Sequence, residues 1–401
     1  MPLKEWNNKR IFFPFFALVI FILVIGAYFF IWYTTTHYHY LIPSLLQYLL
    51  PGVMAFICAL ILTPLFIFIA QNFDIVSQPG FPKEHLPPVP LLGGVVIYLS
   101  ILCVYSLYWP WTEKTQAIFL GGSLLLVIGT IDDIFQLSSK IRLLGQLAAS
   151  LFVMKAGVLI TFAPHNLCGD IGAVLITLIW IIGIVNATNF ADGIDGLAAG
   201  LCFIASSFFF IITLHLMQFH VSLITSIVAG SCLGFLIYNF KPAKIYLGDG
   251  GSTLLGFFLA CFAIYGGWSD KGPIIALGIP ILILGILIFD MIYITASRIY
   301  NKKVKSFQEW LDYKSLDHFH HRLINMNFKE AHAVIFIYLI CVILGLSALV
   351  LENTRTSYPV ILLLVQATLI FIEITLLMLI GRQIVPDRDP VDSEGNGIDK
   401  K

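Results

Sequence analysis

Long apolar runs alternate with short polar connections over almost the whole chain. Twelve runs are long enough to cross roughly 30 Å of hydrocarbon as helices. They lie near 11–33, 45–70, 91–109, 116–131, 141–157, 171–186, 197–216, 220–238, 251–268, 273–296, 331–351 and 358–381. This pattern predicts an all-α fold, a polytopic transmembrane helical bundle of about 11–12 spans.

The composition supports a membrane setting. Hydrophobic residues make up 59% of the chain, charged residues make up 11%, and the mean hydropathy is +0.91. A water-soluble protein could not bury that much apolar surface. We therefore predict one transmembrane domain over residues 1–385, followed by a polar cytoplasmic tail of disordered composition over 386–401.

The distribution of charge indicates how the helices cross the bilayer. The 23 basic residues balance the 23 acidic ones, which gives no sign of nucleic-acid binding. With the amino terminus in the cytoplasm, only Lys114, Lys155, Lys271 and Arg355 fall on the other side of the membrane. Because basic residues favour the cytoplasmic side, this orientation is predicted, and it places the larger polar loops in the cytoplasm.

Five polar clusters share that cytoplasmic side, within residues 74–94, 132–142, 186–197, 239–252 and 317–323. They combine carboxylates, carboxamides and glycines, which suit a hard divalent cation whose shell is completed by phosphate oxygens. Their lysines, arginines and histidines would neutralise a pyrophosphate. The clusters together predict a metal-dependent site for a phosphate-bearing substrate, with Mg²⁺ as the cofactor and Mn²⁺ as an alternative.

Each cluster alone also has a structural interpretation. Paired aspartates can be a solvated helix end, and glycines can simply turn the chain. Three histidines could suggest zinc, but no thiolate lies near them and the other clusters supply oxygen ligands. Asp290 and Glu373 lie within apolar runs. We expect Asp290 to serve the site in a functional or structural role, and Glu373 to serve helix packing or an interface.

The motifs resemble those of the polyprenyl-phosphate N-acetylhexosamine-1-phosphate transferases, which form glycosyltransferase family 4. The family's paired aspartates with a leucine four positions beyond are matched by Asp132, Asp133 and Leu137. Its Asn-x-x-Asn-x-x-Asp-Gly-x-Asp-Gly-Leu motif is matched by residues 186–197, its Pro-Ala-x-x-x-x-Gly-Asp-x-Gly-Ser by 242–252, and its His-x-His-His by 318–321. Four motifs in order make the resemblance specific.

The resemblance implies that a nucleotide-activated N-acetylated sugar donates its sugar 1-phosphate to undecaprenyl phosphate at the bacterial inner membrane. It implies Asp132, Asp133 and Asp249 as catalytic residues, with Asn189 and Asp249 holding Mg²⁺. The substrate-binding residues that it implies are Lys83, Lys140, Asn186, Asp192, Asp195, Gly196, Asn239, Tyr246, His318, His320, His321 and Arg322.

Two local features favour UDP-N-acetylglucosamine as the donor. The His-x-His-His-Arg-Leu loop and Ala191-Asp192-Gly193 resemble the N-acetylglucosamine enzymes, which begin O-antigen, common-antigen or teichoic-acid linkage units. The enzymes that use UDP-N-acetylmuramoyl-pentapeptide carry three consecutive histidines and a Thr-Asp-Gly step. Another UDP-N-acetylated sugar, a homodimer and, in a different class, a polyprenyl-linked sugar transporter remain open alternatives.

Overall fold

The computed structural model describes residues 44–77, 88–108, 111–161, 167–268, 272–304, 309–310, 317–354 and 357–384. Within these ranges the chain forms helices and connections, with a single isolated β-bridge. The helices are α1 (Ser44–Asn72), α2 (Gly93–Leu107), α3 (Glu113–Phe135), α4 (Ser139–Lys155), α5 (Leu167–Ala191), α6 (Leu197–His215), α7 (Phe219–Asn239), α8 (Gly248–Tyr265), α9 (Pro273–Ile283), α10 (Gly285–Tyr300), α11 (Phe319–Asn325), α12 (Glu330–Asn353) and α13 (Ser357–Ile384).

Eight of these helices are long and apolar enough to cross a membrane, namely α1, α3, α5, α6, α7, α8, α12 and α13. A ninth crossing is formed if α9 and α10 count as one span, although they are bent by 80° relative to each other. The predicted fold class, a polytopic all-α membrane protein, is confirmed. Each apolar run predicted within the described ranges coincides with helix, whereas the run 11–33 lies outside the described residues.

The structure differs from the hydropathy pattern at the helix ends. Helix α3 continues through Asp132 and Asp133 and ends at Phe135. The next residue, Gln136, has a left-handed backbone (φ 52) and donates its N–H to the Asp132 carbonyl. Helix α5 likewise continues to Ala191. The aspartates and Asn189 therefore lie on the last helical turns, where a rigid element fixes their direction, and not in loops.

Glycines allow the start of α8 to lie directly against α2 and α3. A Cβ added to Gly129 of α3 would lie 2.4 Å from the Cα of Gly250, and one added to Gly94 of α2 would lie 2.3 Å from the Cα of Gly251. Contacts this short leave no room for a side chain. Small residues of this kind let membrane helices approach closely, and here they bring the first turn of α8 to the aspartates of α3.

A short backbone ladder fixes the segment that leads into α8. Val76 and Pro90 form the β-bridge, and the Tyr246 N–H donates to the Pro90 carbonyl at 2.8 Å. The Gly93 N–H in turn donates to the Tyr246 carbonyl at 3.1 Å. The start of α2 and the connection between α7 and α8 are thereby held side by side next to the polar helix ends.

Candidate active site

The ends of α3 and α5 and the start of α8 meet at one place. Asp133, on the last turn of α3, accepts the N–H of Asp249 at 2.8 Å and the N–H of Gly250 at 3.3 Å. These amides belong to the first turn of α8, where backbone N–H groups have no partner within the helix. Asp133 satisfies two of them and places a negative charge at the positive end of the helix dipole.

The carboxylate of Asp249 is held from two directions. Asn189 of α5 donates its Nδ2 to Oδ1 of Asp249 at 2.9 Å and also to the hydroxyl of Ser252 at 2.9 Å. On the other oxygen, Nη1 of Arg142 lies 3.8 Å from Oδ2. The Asp249 side chain keeps 39% of its surface exposed, so it is oriented by the protein and still accessible to a ligand.

Asp132 is engaged by protein groups on both of its oxygens. Its Oδ1 accepts the N–H of Leu137 at 2.5 Å, and its Oδ2 lies 3.3 Å from Nη1 of Arg142. The Asp132 side chain is only 6% exposed. Arg142 therefore links Asp132 to Asp249, and the two carboxylates share one cation.

Sequence reasoning placed Arg142 in the cluster 132–142 but gave it no role of its own. The residue that it selected from this segment, Lys140, is exposed on the first turn of α4. A signal was nevertheless present, because Arg142 lies in the first turn of the helix that directly follows the aspartate pair. The site also includes Ser252, which lies within the predicted glycine-rich motif, and Gln146, one helical turn after Arg142 on α4.

Asp249 lines two cavities. The first, here called the polar cavity, has a volume of about 170 Å³, and its lining includes Asp133, Asp192, Asp195, Asn239, Tyr246 and Asp249. The second, here called the helix cavity, has a volume of about 30 Å³ and lies between α3, α4, α5 and α8. Its polar lining includes Arg142, Gln146, Asn186, Asn189 and Asp249, and its apolar lining includes Leu125, Ile128, Leu143 and Phe190.

The polar cavity contains an excess of negative charge. Desolvation, followed by the charges of Asp249, Asp133 and Asp195, raises the pKa of Asp192 well above its ordinary value, although a hydrogen bond from the Gly248 N–H partly opposes this. Like charges held close together disfavour ionisation. A bound cation would relieve that repulsion, so the electrostatics of the cavity suit a ligand that brings positive charge with it.

Asp195 and Asn239 support the connection between α7 and α8. Asp195 accepts the N–H of Ala243 at 3.1 Å, and Nδ2 of Asn239 donates to the Ile245 carbonyl at 2.9 Å. Both side chains are largely buried. They line the polar cavity and at the same time hold the backbone that forms its wall.

Lys241 lies between two carboxylates beside that wall. Its Nζ is 3.5 Å from Asp195 and 2.5 Å from Glu330, the first residue of α12. Burial alone would lower the pKa of Lys241, but the hydrogen bond to Glu330 and the charges of both carboxylates raise it.

Nearby, Gly196 has a left-handed backbone (φ 83), and its carbonyl accepts the hydroxyl of Tyr338 at 2.5 Å. The predicted residue Gly196 thus immediately precedes α6, and its backbone contacts α12.

The predicted histidines form a cluster that is held by α10. Asp290 accepts Nδ1 of His318 at 2.8 Å and the N–H of Phe319 at 3.0 Å. Arg298 lies about two helical turns after Asp290 on α10. It forms a bidentate pair with Asp317 at 2.8 and 3.1 Å. Asp290 thus contacts His318, one of the predicted site residues, whereas the side chain of Glu373 on α13 is exposed.

His320 connects this cluster to the polar cavity. Its ring fills the space beside Gly193, where an added Cβ would lie 2.3 Å from Nε2. Burial, followed by the neighbouring His321 and His318, lowers the pKa of His320 well below its ordinary value. His320 is therefore a neutral side chain packed beneath the turn that carries Asp192.

The remaining predicted residues have different surroundings. His321 is half-buried and stacks near His320, with ring centroids 4.1 Å apart. Arg322 is buried, and its Cβ lies against Gly381 of α13. Lys83 lies outside the described residues. The structure thus brings most predicted site residues to the two cavities and the adjoining histidine cluster.

The side chains around Asp249 fit a magnesium ion whose coordination shell is completed by phosphate oxygens of the substrate. Within the described residues, no group of three His, Cys, Asp or Glu side chains could hold a metal alone. Mg²⁺ usually binds proteins through one or two carboxylates together with substrate phosphates, and Asp249 offers one accessible carboxylate. Asn189 turns its amide nitrogen toward Asp249, so it would bind a metal through its oxygen only after its amide rotates.

Comparisons with known proteins agree with this architecture. The sequence profile of the family described as glycosyl transferase family 4 matches residues 115–267. A probable undecaprenyl-phosphate N-acetylglucosaminyl 1-phosphate transferase of Bacillus subtilis (strain 168) is 34% identical over 331 residues, which cover 80% of this chain and 90% of the relative. A decaprenyl-phosphate N-acetylglucosaminephosphotransferase of Mycobacterium leprae (strain TN) is 29% identical over 350 residues, which cover 78% and 86% respectively.

A third relative differs in the substrate that its name gives. A phospho-N-acetylmuramoyl-pentapeptide-transferase of Halalkalibacterium halodurans is 34% identical over 245 residues, which cover 54% of this chain and 74% of the relative. The matched profile spans the aspartate pair, Asn189 and Asp249. The chain belongs to glycosyl transferase family 4 and, within it, to the polyprenyl-phosphate N-acetylhexosamine-1-phosphate transferases, the family that its motifs predicted.

Proposed function

We propose that the protein transfers N-acetylglucosamine 1-phosphate from UDP-N-acetylglucosamine to undecaprenyl phosphate, releases UMP and so begins a cell-envelope glycan. The reaction takes place at the cytoplasmic face of the bacterial inner membrane. The observation that carries the proposal is the position of Asp249, an oriented and partly exposed carboxylate lining two cavities of different character. The relatives named for N-acetylglucosamine, matched over 80% and 78% of this chain, support this donor.

The polar cavity is the place for the nucleotide part of the donor. It is the larger of the two cavities, and Asp192, Asn239 and Tyr246 provide polar groups that could bind a base and a ribose. Its excess of carboxylates would repel a bare diphosphate but would accept one that arrives with a divalent cation. The diphosphate then lies next to Asp249, which borders both cavities.

The acceptor phosphate would enter on the side of the helix cavity, which must widen to admit it because its volume is only about 30 Å³. Arg142 provides a cation there, and Leu125, Ile128 and Leu143 provide apolar surface for the first isoprenyl units. Asp249 lines both cavities, so the two substrates would meet beside this carboxylate. An in-line displacement requires the acceptor to approach opposite the leaving group.

The acceptor attacks the sugar-linked phosphorus directly. A phosphate monoester has a second pKa of about 6, so at neutral pH it is mostly dianionic and needs positioning more than deprotonation. Asp132 and Asp133 have both oxygens engaged by protein donors, so neither is a free nucleophile. Their role is to orient Arg142 and the first turn of α8, and a covalent aspartyl-phosphate is the minority alternative.

Mg²⁺, or Mn²⁺ in its place, would be held by Asp249 and Asn189 and would supply charge neutralisation on the diphosphate. Around it, Arg142 stabilises the charge on the acceptor side, and Asp133 keeps the Asp249 backbone in place. The buried histidine cluster supports the turn that carries Asp192. Each of these contributions is electrostatic or positional, as expected for phosphoryl transfer.

A donor screen with the purified full chain tests the proposal. The protein is incubated with undecaprenyl phosphate, Mg²⁺ and labelled UDP-N-acetylglucosamine, other UDP-N-acetylated sugars or UDP-N-acetylmuramoyl-pentapeptide. The expected result is chloroform-soluble label and an equal amount of UMP with UDP-N-acetylglucosamine. Preference for another donor would overturn the sugar assignment. A transporter would leave every donor uncleaved, and that result would overturn the proposed reaction.

A further inference from the structure

Two buried amide side chains join α4 to α5 one helical turn away from the reacting groups. Nδ2 of Asn186 donates to Oε1 of Gln146 at 2.9 Å. In the opposite direction, Nε2 of Gln146 donates to Oδ1 of Asn186 at the longer distance of 3.5 Å. The second hydrogen of the Asn186 amide goes to the Ile182 carbonyl at 2.8 Å. Gln146 is 5% exposed and Asn186 is 8% exposed, so the pair is shielded from water.

The spacing of the pair relates it to the two groups that hold Asp249. Gln146 lies four residues after Arg142 on α4, and Asn186 lies three residues before Asn189 on α5, so each amide shares a helix face with the residue that touches Asp249. The two helices run in opposite directions at this point. One turn from the amide pair, both helices therefore present a side chain to the same carboxylate, Arg142 to Oδ2 and Asn189 to Oδ1.

The donors of Asn186 are fully used within the protein. An asparagine amide carries two N–H groups, and here they bond to Gln146 and to Ile182. A direct role in substrate binding would require Asn186 to give up one of these bonds in a buried place. Losing one partner of a buried amide pair leaves the other unsatisfied, which is unfavourable, so the pair favours a single register of α4 against α5.

We infer that Gln146 is a positioning residue for the transfer reaction, acting with Asn186 to fix the register in which Arg142 and Asn189 engage the two oxygens of Asp249. The inference rests on the proposed function and adds to it a residue in the wall of the helix cavity whose amide is bound to Asn186. Gln146 acts through the neighbouring residues, so its loss should slow turnover without weakening donor binding.

Three variants of the full chain test this. Gln146→Leu removes the pair, the double swap Gln146→Asn with Asn186→Gln restores a reciprocal amide pair, and Ser150→Ala is the matched control. Ser150 is buried on α4 and donates to the Gln146 carbonyl of its own helix at 2.7 Å. Each variant is measured for kcat, for the KM of UDP-N-acetylglucosamine and for its midpoint of thermal unfolding.

Gln146→Leu should lower kcat about tenfold while the KM changes less than about twofold. The double swap should bring kcat back to within about threefold of wild type, and Ser150→Ala should behave as wild type. Hydrogen exchange gives a readout that does not depend on turnover. Peptides covering the end of α5 and the start of α8 should exchange faster in Gln146→Leu and recover in the swap.

The inference would be overturned if Gln146→Leu left both kcat and the hydrogen-exchange rates unchanged. It would also be overturned if the double swap folded but restored neither kcat nor the wild-type exchange rates. If Gln146→Leu does not fold, Gln146→Met keeps the length and volume of the side chain and is measured in the same way. Failure of the proposed function is a separate result, because it appears as wild-type protein that forms no lipid-linked product, and the exchange experiment still decides the role of the pair.

Discussion

At the scale of single residues, the site is organised around one carboxylate. The backbone of Asp249 is bound by Asp133, and its side chain is bound by Asn189 and faced by Arg142. These contacts come from three different helices, α3, α5 and α4. A group that is held in this way loses little further entropy when the reactants arrive, and such preorganisation is a main source of catalytic rate.

The role of Asp132 can be separated from that of a nucleophile. Asp132→Asn keeps an oxygen for the Leu137 N–H but loses the charge that faces Arg142, so we expect transfer to fall by about 10- to 100-fold and remain measurable. The measurement is lipid-linked product formed over time, compared with an enzyme-free blank. Activity at the level of the blank in a folded variant would favour the covalent alternative.

Asp192 should stabilise the fold less at high pH than at low pH. Its pKa is higher in the folded protein than in the unfolded chain, where it is about 3.9. The folded state therefore binds the proton more tightly, and stability falls as the pH rises from the unfolded value toward the folded one. Asp192→Asn removes this cost, so we expect its midpoint of thermal unfolding to exceed that of wild type by about 2 °C or more at pH 8.

The same comparison at pH 5 should show a smaller difference, because Asp192 is then more fully protonated in the wild-type protein. Donor binding should weaken in the variant at both pH values if Asp192 contacts the nucleoside. Equal stabilisation at pH 5 and pH 8 would contradict the raised pKa, and the measurement needs only thermal unfolding in detergent at two pH values.

The sequence predicted the residues of the site better than their partners. Asp132, Asn189 and Asp249 could be grouped because each is a polar residue at the end of an apolar run on the same side of the membrane. Arg142 was grouped only as one of several basic residues of the clusters, and Gln146 was not grouped at all, since a basic or amide residue in the first turns of a helix is common. Their importance depends on distances across α3, α5 and α8, which spacing along the chain does not contain.

At the scale of helices, the site depends on where elements end. Hydropathy placed the end of the fourth run at residue 131, but α3 continues to Phe135 because Asp133 and Asp132 find hydrogen-bond donors in α8 and α4. The run 273–296 is continuous in hydropathy, yet it forms two helices at 80°. Pro280 lies just before this bend, and proline is a common cause of such breaks. The size of the bend, however, depends on how the two helices pack against their neighbours.

Close approach of α3 and α8 should be essential for activity. Gly129→Ala would place a methyl group 2.4 Å from the Cα of Gly250, so the two helices must move apart. We expect the variant to lose about tenfold or more in kcat, because Asp249 moves away from Asp133. Gly183→Ala on α5 is the matched control, since an added Cβ there meets nothing within 4 Å.

Gly183→Ala should keep full activity and should be slightly more stable, because alanine favours a helix over glycine by about 1 kcal/mol. Both variants are made in the full chain and measured for turnover and thermal unfolding. If Gly129→Ala and Gly183→Ala had the same activity, the contact between α3 and α8 would not be what positions Asp249.

At the scale of the whole molecule, the helices gather charge and hydrogen-bonding groups at one end of a largely apolar bundle. Hydropathy predicted this architecture well, because a bilayer demands long apolar helices. The number of spans was harder to predict, since α2 and α4 have only 15 and 17 residues.

The most direct test of the central claim is a magnesium titration of turnover in wild-type protein and in Asp249→Asn. Asparagine keeps the shape of the side chain and removes only the charge that the claim assigns to the metal. The wild-type chain should require Mg²⁺ or Mn²⁺, and the variant should lose about 100-fold or more in kcat at every metal concentration. Near-normal turnover with an unchanged metal requirement in Asp249→Asn would contradict the account.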